Sequence, residues 1–161
     1  HVSLCPTHFM LSIARDIQLT QPVAQVWGNL ADLDAFARQM PGLSAIEASQ
    51  DCVASRISVG FGPWNVSGAM KLKVVESRAP GLLRVRGTIS LDPDGGEDVA
   101  FDVTWVVARQ GDGCRVTYVA RLRTKPALET LAKMACARGT STLERRVRAA
   151  LSRNARSRSA A

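Results

Sequence analysis

The sequence is poor in histidine and in aromatic residues, and both shortages limit its chemistry. Aromatic residues make up 5% of the 161 residues, and the two histidines, His1 and His8, precede the first predicted strand. A folded body without imidazole lacks the commonest general base and the commonest ligand of transition metals. The sequence also lacks a nucleophile elbow, a Gly-rich phosphate loop and a His-Glu-x-x-His motif. We therefore expect neither a metal nor a cofactor.

Cysteine pairs and long apolar runs are absent as well. No Cys-x-x-Cys occurs, and the cysteines lie far apart in the sequence. This distribution is typical of reduced thiols in a cytoplasmic protein. No apolar run approaches the roughly 18 residues of a membrane span. Residues 1–9 lack the basic and apolar regions of a secretory signal. We predict a disordered leader over residues 1–9 and one domain over residues 10–152. The four cysteines are Cys5, Cys52, Cys114 and Cys136.

Most of the net charge of +7 lies at the C-terminal end of the chain. Seven arginines and one acid, Glu144, lie between Arg138 and Arg158. Such an end can bind an anionic membrane surface or an acidic protein. It can equally complement the C-terminus of a helix and continue as a solvated tail. We favour the second interpretation, with a basic tail over residues 153–161. Peripheral attachment to the inner face of the membrane stays open, and nucleic acid is the less favoured partner.

The hydrophobic period predicts an α+β fold. Apolar and polar residues alternate along four consecutive strands between Asn65 and Arg123. Two short helices follow the first strand, the first of them with an apolar stripe that includes Val23, Val26 and Trp27. From Pro126 to about Ser152 the period is helical, and a helix of this length spans roughly 40 Å. We expect a curved seven-stranded antiparallel sheet wrapped around a long C-terminal helix.

Three motifs and the order of the elements carry a family resemblance. The segments 22–27 (P-V-A-Q-V-W), 40–47 (M-P-G-L-S-A-I-E) and 59–66 (V-G-F-G-P-W-N-V) resemble motifs of the G-type accessory subunits of carbon monoxide dehydrogenase. The element order over residues 10–152 resembles the helix-grip fold of the START-like, polyketide cyclase-like (SRPBCC) superfamily. This chain departs from the G-type group in its arginine-rich C-terminal end, which carries no apolar anchoring extension.

The resemblance implies a ligand-binding domain. It implies a cavity between the sheet and the C-terminal helix that holds a lipid, a quinone or another apolar small molecule. For the narrower group it implies an accessory role in the maturation or membrane association of an oxidoreductase such as a molybdenum hydroxylase. A fold alone does not establish an activity, so a cyclase or dehydratase acting on a hydrophobic substrate stays the alternative.

Strand alternation and helical spacing supply the candidate lining of that cavity. About half of these side chains are expected to be plain core. The predicted lining consists of Trp27, Phe36, Phe61, Trp64, Met70, Leu72, Leu83, Val85, Phe101, Val103, Trp105, Tyr118, Leu131 and Ala135.

Three polar residues interrupt the apolar faces. Arg15, Glu76 and Tyr118 are predicted to point inward by strand parity. In a ligand carrier they would orient a polar head group. In an enzyme a buried carboxylate or tyrosine with a shifted pKa would do the acid–base work. The blander interpretation is exposure at a strand end or a hydrogen bond at a sheet edge. We assign no residue as catalytic.

Overall fold

The structure is a computed structural model that describes residues 9–61, 63–92 and 98–154, without the side chains of Phe9, Phe61, Trp64, Leu131 and residues 135–140. The first strand begins at Phe9, inside the segment predicted as a leader. Residues 1–8 and residues 155–161 of the predicted tail lie outside the described residues.

Seven strands and three α-helices make up the described chain. The strands are β1 (Phe9–Leu19), β2 (Leu43–Ala48), β3 (Cys52–Phe61), β4 (Trp64–Arg78), β5 (Leu82–Leu91), β6 (Val99–Gln110) and β7 (Gly113–Thr124). The helices are α1 (Val23–Ala31), α2 (Leu33–Arg38) and α3 (Glu129–Leu151), and a 3-10 turn at Pro126–Leu128 precedes α3.

The strands form one antiparallel sheet in the order β1-β7-β6-β5-β4-β3-β2. This confirms the predicted α+β class and the seven-stranded antiparallel sheet. Alternate side chains of each strand point to the same side, so every strand contributes one set of residues to each face. α3 is 23 residues long. Among the described residues, no helix combines the length and the apolar character that crossing a membrane requires.

One side of the sheet, called the inner face here, carries the apolar core. Ile17 of β1 lies opposite Val116 of β7, which lies opposite Val107 of β6. All three are buried, together with Leu30 of α1 and, from α3, Val147 and Leu151. The core is therefore densest where α1 and the C-terminal end of α3 meet the sheet.

A buried amide joins α1 to the end of α3. The Asn29 Nδ2 donates hydrogen bonds to the carbonyl oxygens of Leu151 at 2.7 Å and Arg153 at 2.9 Å. Gln25 donates a third, at 2.8 Å, to the Arg153 carbonyl. The last carbonyls of a helix have no partner within the helix, so these bonds satisfy groups that would otherwise be unpaired. Assigning Arg153 to a solvated tail was wrong, because its backbone is part of this junction.

The opposite side, the outer face, carries most of the charged residues of the sheet. Asp102 lies opposite Arg121 in the ladder, and this position suggests a cross-strand ion pair. Instead, the Asp102 carboxylate accepts two hydrogen bonds from Arg84, at 3.0 and 2.7 Å, and Arg86 approaches it at 3.5 Å. A planar guanidinium matches a carboxylate in two places at once, which favours this pairing. Among the described residues, no carboxylate pairs with Arg121.

Candidate ligand-binding site

The structure places ten of the fourteen predicted lining residues at the inner face or on the helices beside it. Five are buried: Met70, Leu83, Val85, Trp105 and Tyr118. Five are partly buried and pack against that core: Trp27, Phe36, Leu72, Phe101 and Val103. The other four, Phe61, Trp64, Leu131 and Ala135, fall on side chains outside the described ones.

Burial changes along the strands of the inner face. Val107 and Val116 are buried in one lateral row, and Leu83, Trp105 and Tyr118 are buried in the next. Burial is mixed in the two rows that follow: Val85 and Val53 are buried, whereas Val74, Val103, Leu72 and Phe101 are only partly buried. Side chains of this size are normally hidden in a filled core. The middle of the inner face therefore combines buried side chains with apolar side chains that stay partly accessible.

Three aromatic rings mark the boundary between the closed and the open part. The Phe36 ring of α2 meets the Trp105 ring edge-on, with centroids 5.6 Å apart and planes at 81°. The Trp105 and Tyr118 rings lie 4.7 Å apart at 36°. Both separations fall in the range of favourable aromatic pairs. The arrangement forms a rigid apolar wall beside the Tyr118 hydroxyl.

Arg15, Tyr118 and Glu144 form a polar group at this wall, called the Tyr118 cluster below. Arg15 lies directly opposite Tyr118 in the β1–β7 ladder. Burial raises the pKa of the Tyr118 phenol, the Glu144 carboxylate of α3 raises it further, and the Arg15 guanidinium lowers it. The Arg15 Nη1 donates to the neighbouring Ala14 carbonyl at 2.8 Å. The cluster thus places a cation and an anion beside one buried phenol, which is itself a hydrogen-bond donor.

Glu76 does not join this group, so the prediction that it points inward was wrong. The β4–β5 register shifts between Val74 and Glu76, which makes Val75 an extra residue. A bulge of this kind reverses the face to which later residues point. Glu76 consequently lies opposite Arg84 on the outer face and pairs with Arg78 at 2.7 Å.

Sequence reasoning missed Glu144, Ser55 and Thr124 as polar residues of the inner face or of α3 beside it. Glu144 follows Leu143 on a basic helix, and only the packing of α3 brings it near Tyr118. Ser55 and Thr124 are 7% and 1% exposed, and neither hydroxyl has a hydrogen-bond partner among the described residues. Both residues share strand parity with core residues. Their inward position could therefore have been recognised from the sequence by this parity.

The structure brings two of the sequence motifs together. Gly42, from the motif at 40–47, has φ of +82°, and its carbonyl accepts a 2.9 Å hydrogen bond from the Ser58 amide. A Cβ at Gly42 would lie 2.6 Å from the Ser58 carbonyl oxygen. Glycine is therefore required on two grounds, backbone angle and space. Ser58 directly precedes the motif at 59–66, so this contact joins the start of β2 to β3 close to the end of β3 at Phe61.

The described side chains offer no donor set for a metal ion. No group of three or more His, Cys, Asp or Glu residues is close enough to hold one within the described part of the chain. The exposed thiol of Cys52 and the buried thiol of Cys114 are both free. Burial raises the pKa of the Cys114 thiol, which favours its neutral form.

Comparison with known families gives one match over nearly the whole chain. Residues 10–153 match the family described as "Polyketide cyclase / dehydrase and lipid transport". No curated protein matches the sequence.

Several solved structures share the fold at low sequence identity. A conserved protein from Geobacillus kaustophilus is 15% identical with a TM-score of 0.72, over 88% of this chain and 93% of that one. A Rhizobium loti protein is 16% identical with a TM-score of 0.68, over 91% and 98%. Norcoclaurine synthase from Thalictrum flavum, solved with dopamine and hydroxybenzaldehyde, is 14% identical with a TM-score of 0.58, over 88% and 86%. At these identities the likeness concerns the fold.

Proposed function

Because the chain belongs to the Polyketide cyclase / dehydrase and lipid transport family, we propose that it binds an apolar small molecule of the lipid or quinone kind. The ligand lies between the inner face of the sheet and α3, in a helix-grip arrangement in which the sheet curves around the helix. The protein is then a carrier or binding module. Nothing in this proposal requires a metal or a cofactor.

The observation that carries the proposal is the partly exposed apolar surface in the middle of the inner face. Leu72, Val74, Phe101 and Val103 retain accessible surface although they pack against the core. Covering apolar surface stabilises by about 25 cal/mol per Å². A ligand that covers these side chains gains free energy that the empty protein leaves unused. The lining is mainly aliphatic, which suits an apolar ligand.

The Tyr118 cluster supplies the polar end of this site. Buried binding sites combine an apolar lining with a few polar groups that fix orientation. The Tyr118 hydroxyl can donate to a ligand carbonyl, and Arg15 can support an oxygen that carries negative charge. The predicted orienting role therefore stays with Arg15 and Tyr118, and Glu144 takes the place that Glu76 was expected to fill.

Binding of the neutral dye Nile red tests the proposal. We expect saturable, one-site fluorescence enhancement with the purified protein. Val103→Trp puts a larger side chain into the partly exposed inner surface and should weaken binding about tenfold, because losing about 55 Å² of apolar contact with the dye costs about 1.4 kcal/mol at about 25 cal/mol per Å². Val106→Trp is the matched control, because Val106 is 40% exposed and lies three residues further on the same strand, on the outer face. It should bind the dye like the wild type.

Circular dichroism establishes whether each variant is folded. If Val103→Trp does not fold, Leu72→Phe supplies a smaller obstruction of the same surface. Wild-type protein that gives no saturable signal would contradict the proposal. So would equal loss of binding in the inner-face and outer-face variants.

The narrower proposal, an accessory role for a molybdenum hydroxylase, depends on the motifs at 22–27, 40–47 and 59–66. On this proposal the protein acts in the cytoplasm, and the basic C-terminal end remains a candidate membrane contact. Co-purification with a carbon monoxide dehydrogenase-type hydroxylase would support it. A tagged protein that retains Nile red binding but captures no such enzyme would exclude this role and leave the ligand-binding proposal intact.

The Tyr118 cluster also favours a second candidate, a cyclase- or dehydratase-type enzyme. A phenol held between a cation and a carboxylate can transfer a proton to or from a bound carbonyl compound. Any turnover found with hydrophobic carbonyl substrates should then be abolished by Tyr118→Phe, which keeps the ring and its contact with Trp105. Unchanged turnover in that variant would exclude this mechanism.

A further inference from the structure

A second concave surface lies on the outer face, away from the proposed ligand site. It is a groove of about 630 Å³ across β2 to β5, called the outer groove here. This volume falls within the range of sites for small molecules. Its outward side chains occupy two adjacent lateral rows, Cys52–Lys73–Arg86 and Ala54–Lys71–Thr88.

The charge of the outer groove is unbalanced. Three cations, Lys71, Lys73 and Arg86, border it, and Glu47 is its one acidic lining residue. Among the described residues, no carboxylate pairs with either lysine, and Arg86 has only the 3.5 Å approach to Asp102. The lining residues therefore carry a local charge of +2.

The floor of the outer groove is small and apolar. Ala54 contributes only a methyl group to the floor, and Gly87 has no side chain. A Cβ at Gly87 would collide with the Phe101 ring and with the Lys71 carbonyl oxygen, so this position stays empty. Lys71 and Lys73 are exposed and line the groove; the aliphatic stem of a lysine can cover apolar surface while its ammonium group stays in water.

We propose that the outer groove binds a small organic phosphate, with its apolar body on the Ala54–Gly87 floor and its phosphate at the three cations. A phosphate monoester carries about −1.5 to −2 charges at pH 7, which matches the charge of the lining. Two lysines and an arginine offer separate N–H donors to its oxygens. This site and the inner face lie on opposite sides of the sheet, so the two proposals stand independently.

Calorimetric titration with 1-naphthyl phosphate tests the site. Lys71→Gln/Lys73→Gln should weaken binding about tenfold, as the loss of two exposed charged contacts implies. Arg121→Gln/Arg123→Gln is the matched control, because it removes the same charge from exposed positions of the outer face that do not line the groove. The control should keep wild-type affinity.

Two further measurements make the outcome decisive. Inorganic phosphate should bind more weakly than 1-naphthyl phosphate, because it cannot use the apolar floor. Nile red binding should be unchanged in Lys71→Gln/Lys73→Gln, since the inner face is intact. Equal loss of affinity in the two double variants would overturn the proposal, and so would equal affinity for the two phosphates. Absence of any binding by the wild type would overturn it as well.

Discussion

Replacement of Asn29 by alanine should destabilise the protein by about 2–4 kcal/mol. Asn29 is fully buried, and its amide donates to the Leu151 and Arg153 carbonyl oxygens. Removing the amide leaves the buried Leu151 carbonyl unpaired, which costs about 1–3 kcal/mol. The Arg153 carbonyl keeps its bond from Gln25, so its share is about 0.5–1.5 kcal/mol.

Urea-induced unfolding followed by circular dichroism measures this loss. Gln25→Ala is the reference, because it removes one part-buried hydrogen bond to the same Arg153 carbonyl and should cost about 0.5–1.5 kcal/mol. Asn29→Leu separates hydrogen bonding from packing. Leucine has nearly the same shape but carries no donor, so both carbonyl oxygens lose the bonds from Asn29 while the space stays filled. It should also be destabilising, because the Leu151 carbonyl stays buried without its partner.

Two results would refute this reasoning. If Asn29→Ala lost no more stability than Gln25→Ala, the amide would not be the main link between α1 and the end of α3. If Asn29→Leu were as stable as the wild type, the hydrogen bonds to the carbonyls would contribute nothing.

Three further predictions concern single positions. Tyr118 is the sole tyrosine, so ultraviolet titration reports its pKa directly. Glu144→Gln should lower the pKa of Tyr118, and Arg15→Gln should raise it. A shift of that pKa in the same direction in both variants would contradict the cluster. The Leu91 amide and Lys125 lower the pKa of Asp98 in the folded protein. The ionised Asp98 therefore contributes its full stabilisation of the folded state above the unfolded pKa of about 4, and this contribution is lost as the pH falls through the lower folded pKa. Asp98→Asn should therefore flatten the acid limb of a stability–pH curve. Gly87→Ala should lower thermal stability through its collision with Phe101, whereas an unchanged melting temperature would contradict that contact.

The succession of elements along the chain and the strand parity could be predicted from the sequence, because hydrophobic periodicity is a local signal. The two short helices expected after the first strand are present as α1 and α2. The inward parity of Leu72, Phe101 and Trp105 follows from a period of two along unbroken strands. For these residues the face is fixed once the strand is known.

The features that could not be predicted depend on contacts between residues that are far apart in the sequence. The bulge at Val75 adds one residue to β4 and moves Glu76 to the outer face, and no residue type in that segment announces it. Asp102 forms its cross-strand ion pair with Arg84 of β5 although Arg121 of β7 lies directly opposite it, so side-chain geometry selects the partner. Asn29 binds carbonyls more than 120 residues away in the chain, so its role depends on how α3 packs.

The order of contacts along α3 bears on how a ligand would lie at the inner face. Leu151 and Val147 are buried at the closed end, and Glu144, about one turn earlier, lies near Tyr118. The partly exposed row of Leu72 and Phe101 lies two rows further from the closed end than Tyr118. A ligand held here would therefore have its polar group at the Tyr118 cluster and its apolar body along the open rows. The Asn29 junction fixes α3 at the closed end, so widening of the site for a larger ligand falls to the other end of α3.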